Sequence, residues 1–423
     1  MVIRMNILMV GELYKFGGAS EMMEILANRL KVRGHNVILL FGYDPGNQKS
    51  TEKKHYILFR NDFLRKINNK LRFLMEKYNV SNIYAYAYIK FLIRKEKIHL
   101  LHFHALQGGF LNVKDIEKIC RKYSVIWTIH DTWPFTGGCM YYQNCLSWKN
   151  ISCVDCKESN LQMKYTDTFQ NWKRKKYAFT GKNIYFTAPS KWMLDNMKQS
   201  FLKNEKMTVI ENGINLQVFR PLNNRSKLKE KYGLSIHKKI LMFNSGSVKN
   251  PYKGWKFLKD ALFQLEKAEE YELIIVGKET EDISKLNIST IKVGFVHDKS
   301  VLNELYNAAD IFILPSVQDN FPTVTLEAQA AGTPVLAFSI GGIREQISLE
   351  TGWLVNEISA NALQKEIEKI FHDENWMADV AHRGKMARKR CEQLYDEKNM
   401  AKRYEKIYNE KNIYATDKKF GKG

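Results

Sequence analysis

Only 6 cysteines and 8 prolines stand among the 423 residues. So few cysteines cannot staple a chain of this length as a disulfide framework, and with 24 glycines the sequence is neither collagen-like nor a low-complexity polymer. No apolar run approaches the roughly 20 residues that a membrane-spanning helix needs. The first eleven residues form an apolar run broken at Arg4 and Asn6; it is too short for a signal core, lacks a cleavage site and reads as a buried first strand. A soluble cytoplasmic protein is therefore expected. Acidic residues are also in short supply: 66 Lys and Arg against 45 Asp and Glu leave a net charge of +21, which draws polyanions or anionic lipid but says nothing about fold. What is present suffices for cores. Hydrophobic residues make up 44% and aromatic residues 12%, and at roughly 150 residues per domain the length implies two or three domains.

Short apolar runs ending at Gly or polar residues alternate with longer amphipathic stretches, the rhythm of βαβ units in an open parallel sheet. The rhythm occurs twice. Strands are expected at residues 7–10, 37–41, 100–104, 125–130 and 184–188, with a helix at 22–33 between the first two. A polar, Lys-rich linker follows to about residue 237, and strands resume at 240–243, 273–276, 291–293, 311–314 and 334–338, with a helix at 324–331. From residue 360 onward the pattern is helical and charged. This reading gives an α/β protein of two doubly wound, Rossmann-like domains, 1–214 and 215–394. A C-terminal helix at about 395–415 is free to pack back on the first domain, and 416–423 form a tail. Two such halves predict a cleft with ligands at the carboxyl ends of the strands.

The stretch from Ser316 to Val335 carries the most chemistry. A strand ends, a loop presents Asp319, and a helix then opens with free N–H groups and a positive end, an arrangement that holds phosphate without a metal. Glu327, one turn into that helix, is placed to reach a ribose diol as acids do in dinucleotide-binding folds. Read alone, Asp319 is as readily a helix cap and Glu327 a solvated acid of the first turn. The sequence has no Gly-x4-Gly-Lys-Ser/Thr loop, no Gly-x-Ser-x-Gly elbow and no His-Glu-x-x-His helix, so phosphate-loop, serine-hydrolase and zinc-protease chemistry lack their signatures.

In order along the chain stand Gly17-Gly18, Ile129-His130-Asp131, residues 209–214 (Val-Ile-Glu-Asn-Gly-Ile), Lys253-Gly254, residues 273–277 (Leu-Ile-Ile-Val-Gly), Gly294-Phe295-Val296, Ala309-Asp310, the acid-x7-Glu pair Asp319 and Glu327, and Gly332-Thr333-Pro334-Val335. This ordered set resembles the retaining glycosyltransferases of family four, which have the GT-B fold. The resemblance implies a catalyst that needs no metal cofactor. It moves a hexose-type sugar from a nucleoside-diphosphate sugar, of UDP or GDP type, to a polysaccharide or lipid-linked oligosaccharide. It implies that Glu327 binds the ribose, that Asn320, Phe321, Pro322 and Thr323 approach the diphosphate and sugar, and that Gly17 and Gly18 belong to the donor site. Lys253 matches the diphosphate lysine, Gly294, Phe295 and Val296 the nucleobase pocket, and His130 the contact with the transferred sugar. Two positions depart from the family. Asp319 stands where the family usually has Glu, and Ser247 follows Gly246 where the family has Arg, leaving Lys249 as a shifted substitute without Arg's fork.

Cys139, Cys145, Cys153 and Cys156 follow His130 closely, and the last pair has zinc-knuckle spacing. Structural zinc, free buried thiols and disulfides all fit. The segment from His130 to Cys139 resembles that of a subgroup of these transferases linked to colanic-acid and exopolysaccharide synthesis. Basic residues gather at 60–74, where Phe63, Ile67, Leu71 and Leu74 recur at helical spacing. That stretch is either a core-facing helix with a solvated basic side or a docking element for anionic lipid, which would place the protein peripherally at the inner membrane face. Two alternatives stand beside the transferase: a GT-B nucleotide-sugar epimerase or phosphorylase, and a basic nucleic-acid-binding protein. The sequence has no RNA-binding signature, so nucleic acid is not an expected partner.

Overall fold

The computed structural model describes residues 4–45, 54–107, 109–142, 144–150, 153, 154, 156, 167–247, 250–278 and 286–417. They fall into two compact units, one running up to Glu211 and resuming at Met400, the other spanning Asn212–Asn399.

The first unit is built on β1 (Asn6–Leu13), β2 (Asn36–Tyr43), β3 (His55–Ile57), β4 (Leu100–His104), β5 (Val125–Thr128), β6 (Ile184–Ala188) and β7 (Met207–Val209). All pair in parallel, in the order β3-β2-β1-β4-β5-β6-β7. The near-continuous apolar character of these strands follows from burial on both faces. Leu8 and Val10 of β1 pack to one side with Leu40 and Leu101. Ile7 and Met9 pack to the other with Leu26, Leu39, Tyr404 and Tyr408, as the two-residue period of a strand requires. Tyr404 and Tyr408 lie on the last helix, Glu397–Asp417, so this helix closes one face of the sheet. It runs two residues into the stretch read as a tail, and residues 418–423 lie outside the described chain.

Three helices of this unit matter below: α1 (Gly18–Val32), α2 (Asp62–Tyr78) and α3 (Ile83–Lys95). Helix α1 begins four residues before its sequence-predicted start, with Gly17 at its N-cap. Asn61 caps α2 by accepting the Phe63 N–H at 2.8 Å, and Asn79 ends it in the left-handed conformation, the usual roles of Asn at helix ends. The core-facing alternative for this helix does not hold. Phe63, Ile67, Leu71 and Leu74 are exposed, because α2 turns its polar side toward the domain.

In the second unit β8 (Lys239–Ser247), β9 (Tyr271–Lys278), β10 (Ser289–Gly294), β11 (Ile311–Leu314), β12 (Val335–Phe338) and β13 (Gly352–Val355) pair in parallel, in the order β10-β9-β8-β11-β12-β13. The stretch read as a featureless linker holds a seven-residue helix, Arg225–Lys231, held by Arg225 and Lys229 against buried Asp310. In each sheet the strand order reverses beside a central strand, between β1 and β4 in one and between β8 and β11 in the other. Those are the switch points at which α/β sheets open a crevice for ligands.

Candidate functional site

In the second unit the switch point is occupied by charge. The chain leaves β8 and makes a single turn at Pro251–Lys253, capped by Asn250. Gly254 then takes φ +72°, where a Cβ would overlap the Pro315 carbonyl oxygen just beyond β11. This close approach brings Lys253 Nζ to 2.6 Å from Asp319 Oδ2. Asp319 Oδ1 accepts the Asn320 N–H at 3.1 Å. The helix Thr323–Ala331 follows, and its N-cap is Pro322 rather than Asp319. Pro322 has no side-chain acceptor, so no side chain caps the first N–H groups of the helix, and Thr323 and Val324 are half-buried. Unmatched helix donors with a partial positive charge and an adjacent ammonium form a receptor for a diphosphate.

Glu327 is 2% exposed rather than solvated. Its Oε1 accepts Lys299 Nζ at 3.0 Å and its Oε2 accepts the Tyr306 hydroxyl at 3.0 Å, and Asn244 Nδ2 donates to the same hydroxyl at 3.1 Å. This buried network holds the carboxylate in one position. The carbonyls of Phe321 and Pro322 are engaged internally, by Asn212 Nδ2 at 3.1 Å and Gln346 Nε2 at 3.0 Å, and the Phe321 ring packs edge-on to Tyr395. Asn320 is buried. Gly294 ends β10 at φ +72°, Phe295 is exposed and edge-on to His297, and Val296 packs into the core. Ser247 closes β8 beside Lys278 of β9. Lys249, the shifted substitute for the family arginine, lies outside the described residues.

The first unit has its own polar cluster at the ends of β1, β4 and β5. His130 lies two residues beyond β5, half-buried, with Nε2 3.0 Å from His104 Nδ1 and the two rings stacked. Burial keeps both imidazoles neutral: His130 is pushed down to about 4 and His104 well below its ordinary value. Asp131 accepts the Gln107 amide at 2.5 Å and the Trp133 N–H at 2.9 Å. Burial raises its carboxyl above the usual range. Gln107 also donates its backbone N–H, at 3.1 Å, to Glu12 at the end of β1. Burial pushes Glu12 up to about 7, against the Gln107 N–H and the charge of Arg72. Sequence reasoning missed Glu12; its signal was an acid directly after Gly11 at the end of an apolar strand. His102, by contrast, is a packing residue, bonded to Tyr408 at 2.7 Å and Thr128 at 2.8 Å. Gly17 and Gly18 are exposed at the start of α1, which also lacks a side-chain cap.

All four loop cysteines are thiols. Gly137 donates its N–H to Cys153 Sγ at 3.1 Å. Burial, then the charges of Cys156, Cys153 and Cys145, pushes Cys139 up to about 12, and burial brings Cys153 to about 11. Among the described residues no group of three or more His, Cys, Asp or Glu is arranged to hold a metal ion. The side chains as placed are therefore close to one another without forming a ligand set. Beside them Lys175 is fully buried, with Nζ donating to the carbonyls of Trp133 (2.6 Å) and Thr136 (3.1 Å) and lying 3.6 Å from the centre of the Trp133 ring. Burial lowers its ammonium to about 7. Lys175 pins the loop that leaves His130 and Asp131.

The family model described as Glycosyltransferase Family 4 matches residues 16–218, and that described as Glycosyl transferases group 1 matches residues 238–373. Among curated proteins, one named for a colanic acid biosynthesis glycosyl transferase, WcaC of Escherichia coli, is 24% identical over 370 residues, 84% of this chain and 88% of its own. The N,N'-diacetylbacillosaminyl-diphospho-undecaprenol alpha-1,3-N-acetylgalactosaminyltransferase of Campylobacter jejuni is 32% identical over 44% of this chain and 50% of its own. Among solved structures, the sucrose-phosphate synthase of Thermosynechococcus elongatus aligns at a TM-score of 0.74 over 98% of this chain and 100% of its own, with 19% identity. Anabaena HepE in complex with UDP aligns at 0.64, over 96% and 100%, with 16% identity. These likenesses fit two parallel α/β units of the GT-B kind. With its first unit matched by the family-four model and its second by the group 1 model, the chain belongs to the glycosyltransferases.

Proposed function

We propose that this glycosyltransferase moves a hexose-type sugar, with retention at the anomeric carbon, from a UDP- or GDP-sugar to a polysaccharide or lipid-linked oligosaccharide. The observation that carries the reading is the Lys253–Asp319 pair beside the uncapped start of the 323–331 helix. As the bond from the anomeric carbon to the diphosphate breaks, charge grows on phosphate oxygens. A fixed ammonium and oriented N–H groups stabilise that charge without reorganising. The sugar becomes oxocarbenium-like, and Asp319 supplies a carboxylate to offset that charge. The acceptor oxygen takes the anomeric carbon on the same face, and its proton goes to the departing phosphate. Glu327 holds the ribose, Gly294, Phe295 and Val296 the base, and neutral His130 the sugar in transit. In support, HepE binds UDP, and the Campylobacter relative's name specifies a diphospho-undecaprenol acceptor. The test is nucleoside diphosphate release from a panel of donors with and without acceptor, with the product anomer read by NMR. Acceptor-dependent release with retention is expected; release without acceptor would favour an epimerase or hydrolase.

The same reading includes a structural zinc on Cys139, Cys145, Cys153 and Cys156. Four thiolates in one loop are a donor set that suits tetrahedral zinc, and a buried Lys175 ammonium offsets part of their negative charge. Closing the site needs side-chain movement from the arrangement described. Metal analysis of protein purified without added zinc should find about one zinc per chain, and a chelator should lower its melting temperature. Metal-free protein with four alkylatable thiols and an unchanged melt would remove the proposal. A lipid-carried acceptor also requires work at a membrane surface. Among the described residues no helix is long and apolar enough to cross one, so peripheral association is the form proposed, at the cytoplasmic face.

A further inference from the structure

Helix α2 is mounted with its polar side inward. Asn68, 5% exposed, donates to the Tyr43 hydroxyl at 2.6 Å and accepts from Asn82 at 2.8 Å. One turn on, Arg72 directs its charge at Glu12 and Glu76. Arg174 clamps the C-terminal end through the carbonyls of Glu76, at 2.6 Å, and Lys77, at 3.1 Å. Residues 68, 72 and 76 thus form the docked stripe, at the four-residue spacing of one helix face. The opposite side carries Phe63, Leu64, Ile67, Leu71, Leu74 and Tyr78, all between 38% and 68% exposed. A surface helix ordinarily buries such a stripe against the core, and a contiguous exposed apolar strip marks an interaction site. Lys66, Lys70 and Lys77, all exposed, run along one flank of the strip.

We propose that α2 is a membrane-docking element that lies in the plane of an anionic bilayer, its apolar strip in the acyl boundary and its lysine row on the headgroups. Charge selects this occupant. A second copy of the chain would bring the same lysine row and the same excess of +21 against itself, whereas an anionic lipid surface complements both the strip and the row. The anchorage is polar and rigid, so the helix presents the strip without unfolding from its domain. Of the basic residues at 60–74, Lys66 and Lys70 belong to this row, whereas Arg65 and Arg72 are half-buried and fall on the inward side, and Lys77 extends the row beyond that stretch.

This inference deepens the peripheral association proposed above by naming the element that docks, and its failure would leave donor binding untouched. The experiment is co-sedimentation of the full chain with phosphatidylglycerol-rich and pure phosphatidylcholine vesicles. Beside wild type stand two variants: Lys66→Gln with Lys70→Gln and Lys77→Gln, and Phe63→Ser with Ile67→Ser and Leu74→Ser. Every changed side chain is exposed, so both variants should melt as wild type does. Wild type should partition at least about tenfold better onto the anionic vesicles and be released by salt, and each variant should lose about tenfold or more of that binding. Equal binding by wild type and both variants overturns the proposal. So does a wild type that ignores vesicles but sediments as a dimer that the serine variant dissolves, which would make a second copy the occupant.

Discussion

Replacing Lys253 with Ala should weaken nucleoside diphosphate binding by about 10- to 100-fold, the loss expected when a charge-assisted contact worth roughly 1.5–3 kcal/mol is removed. The expectation rests on geometry. Lys253 Nζ has a carboxylate 2.6 Å away, and its side chain is only a quarter exposed, so its position is restricted and its charge is incompletely screened. A diphosphate arriving at the helix start competes with Asp319 for the same ammonium. Asp319→Asn therefore gives a second, discriminating readout. It removes the competitor, so nucleoside diphosphate should bind at least as tightly as to wild type while sugar transfer falls. A merely structural ion pair would behave otherwise, with both variants losing stability and neither changing affinity selectively. Titration calorimetry with UDP and GDP, alongside thermal melts, separates the cases, and unchanged affinity in Lys253→Ala would remove this lysine from the donor site.

The sequence made the two sheets legible because parallel strands buried on both faces leave unbroken apolar runs. Strands at 7–10, 37–41, 100–104 and 311–314 lie inside or on the observed β1, β2, β4 and β11. The strands it did not mark, β3, β7 and β13, are only three or four residues long and carry polar or Gly residues among the apolar ones. Periodicity also revealed α2 as amphipathic but could not say which side meets the domain. That is decided by Asn68, Arg72 and Glu76 finding polar partners on other elements. The candidate site was legible where a motif is local, as in the loop and helix from Asp319 to Glu327. The direct pairings between residues distant in sequence were not legible, even where the residues themselves were named. Lys253 and Asp319 are 66 residues apart, Glu12 meets Gln107 across 95, and Lys175 reaches Trp133 across 42. A fully buried lysine has no sequence signature of its own, since its neighbours Trp172, Ala178 and Phe179 mark only the apolar face of their helix.

Replacing His130 with Ala should leave nucleoside diphosphate affinity close to wild type and lower turnover on the order of 100-fold. The ring's proposed contact is with the sugar in transit, and a misplaced reacting group costs rate rather than ground-state binding. Its chemistry follows from its surroundings. With burial holding His130 at about 4 and His104 well below its ordinary value, neither ring is charged at neutral pH or above, and the 3.0 Å bond between them joins one neutral donor to one neutral acceptor. His130 is thus an oriented hydrogen-bonding group, not a titrating base. Turnover should show no limb from histidine ionisation across that range. Two buried groups beside this histidine pair stand at about 7, Glu12 and Lys175. Glu12 is protonated below that pH and ionised above it, so a limb near pH 7 that Glu12→Gln abolishes belongs to Glu12, and one that survives that change belongs to Lys175. His104→Phe tests the orientation itself. Without the partner at Nε2 the His130 ring loses its fixed pose, so turnover should fall by about tenfold while donor affinity and the pH profile stay as in wild type. If His130→Ala turned over as wild type does, or if its loss of rate came with an equal loss of nucleoside diphosphate affinity, the residue would be part of the scaffold and not of the transfer.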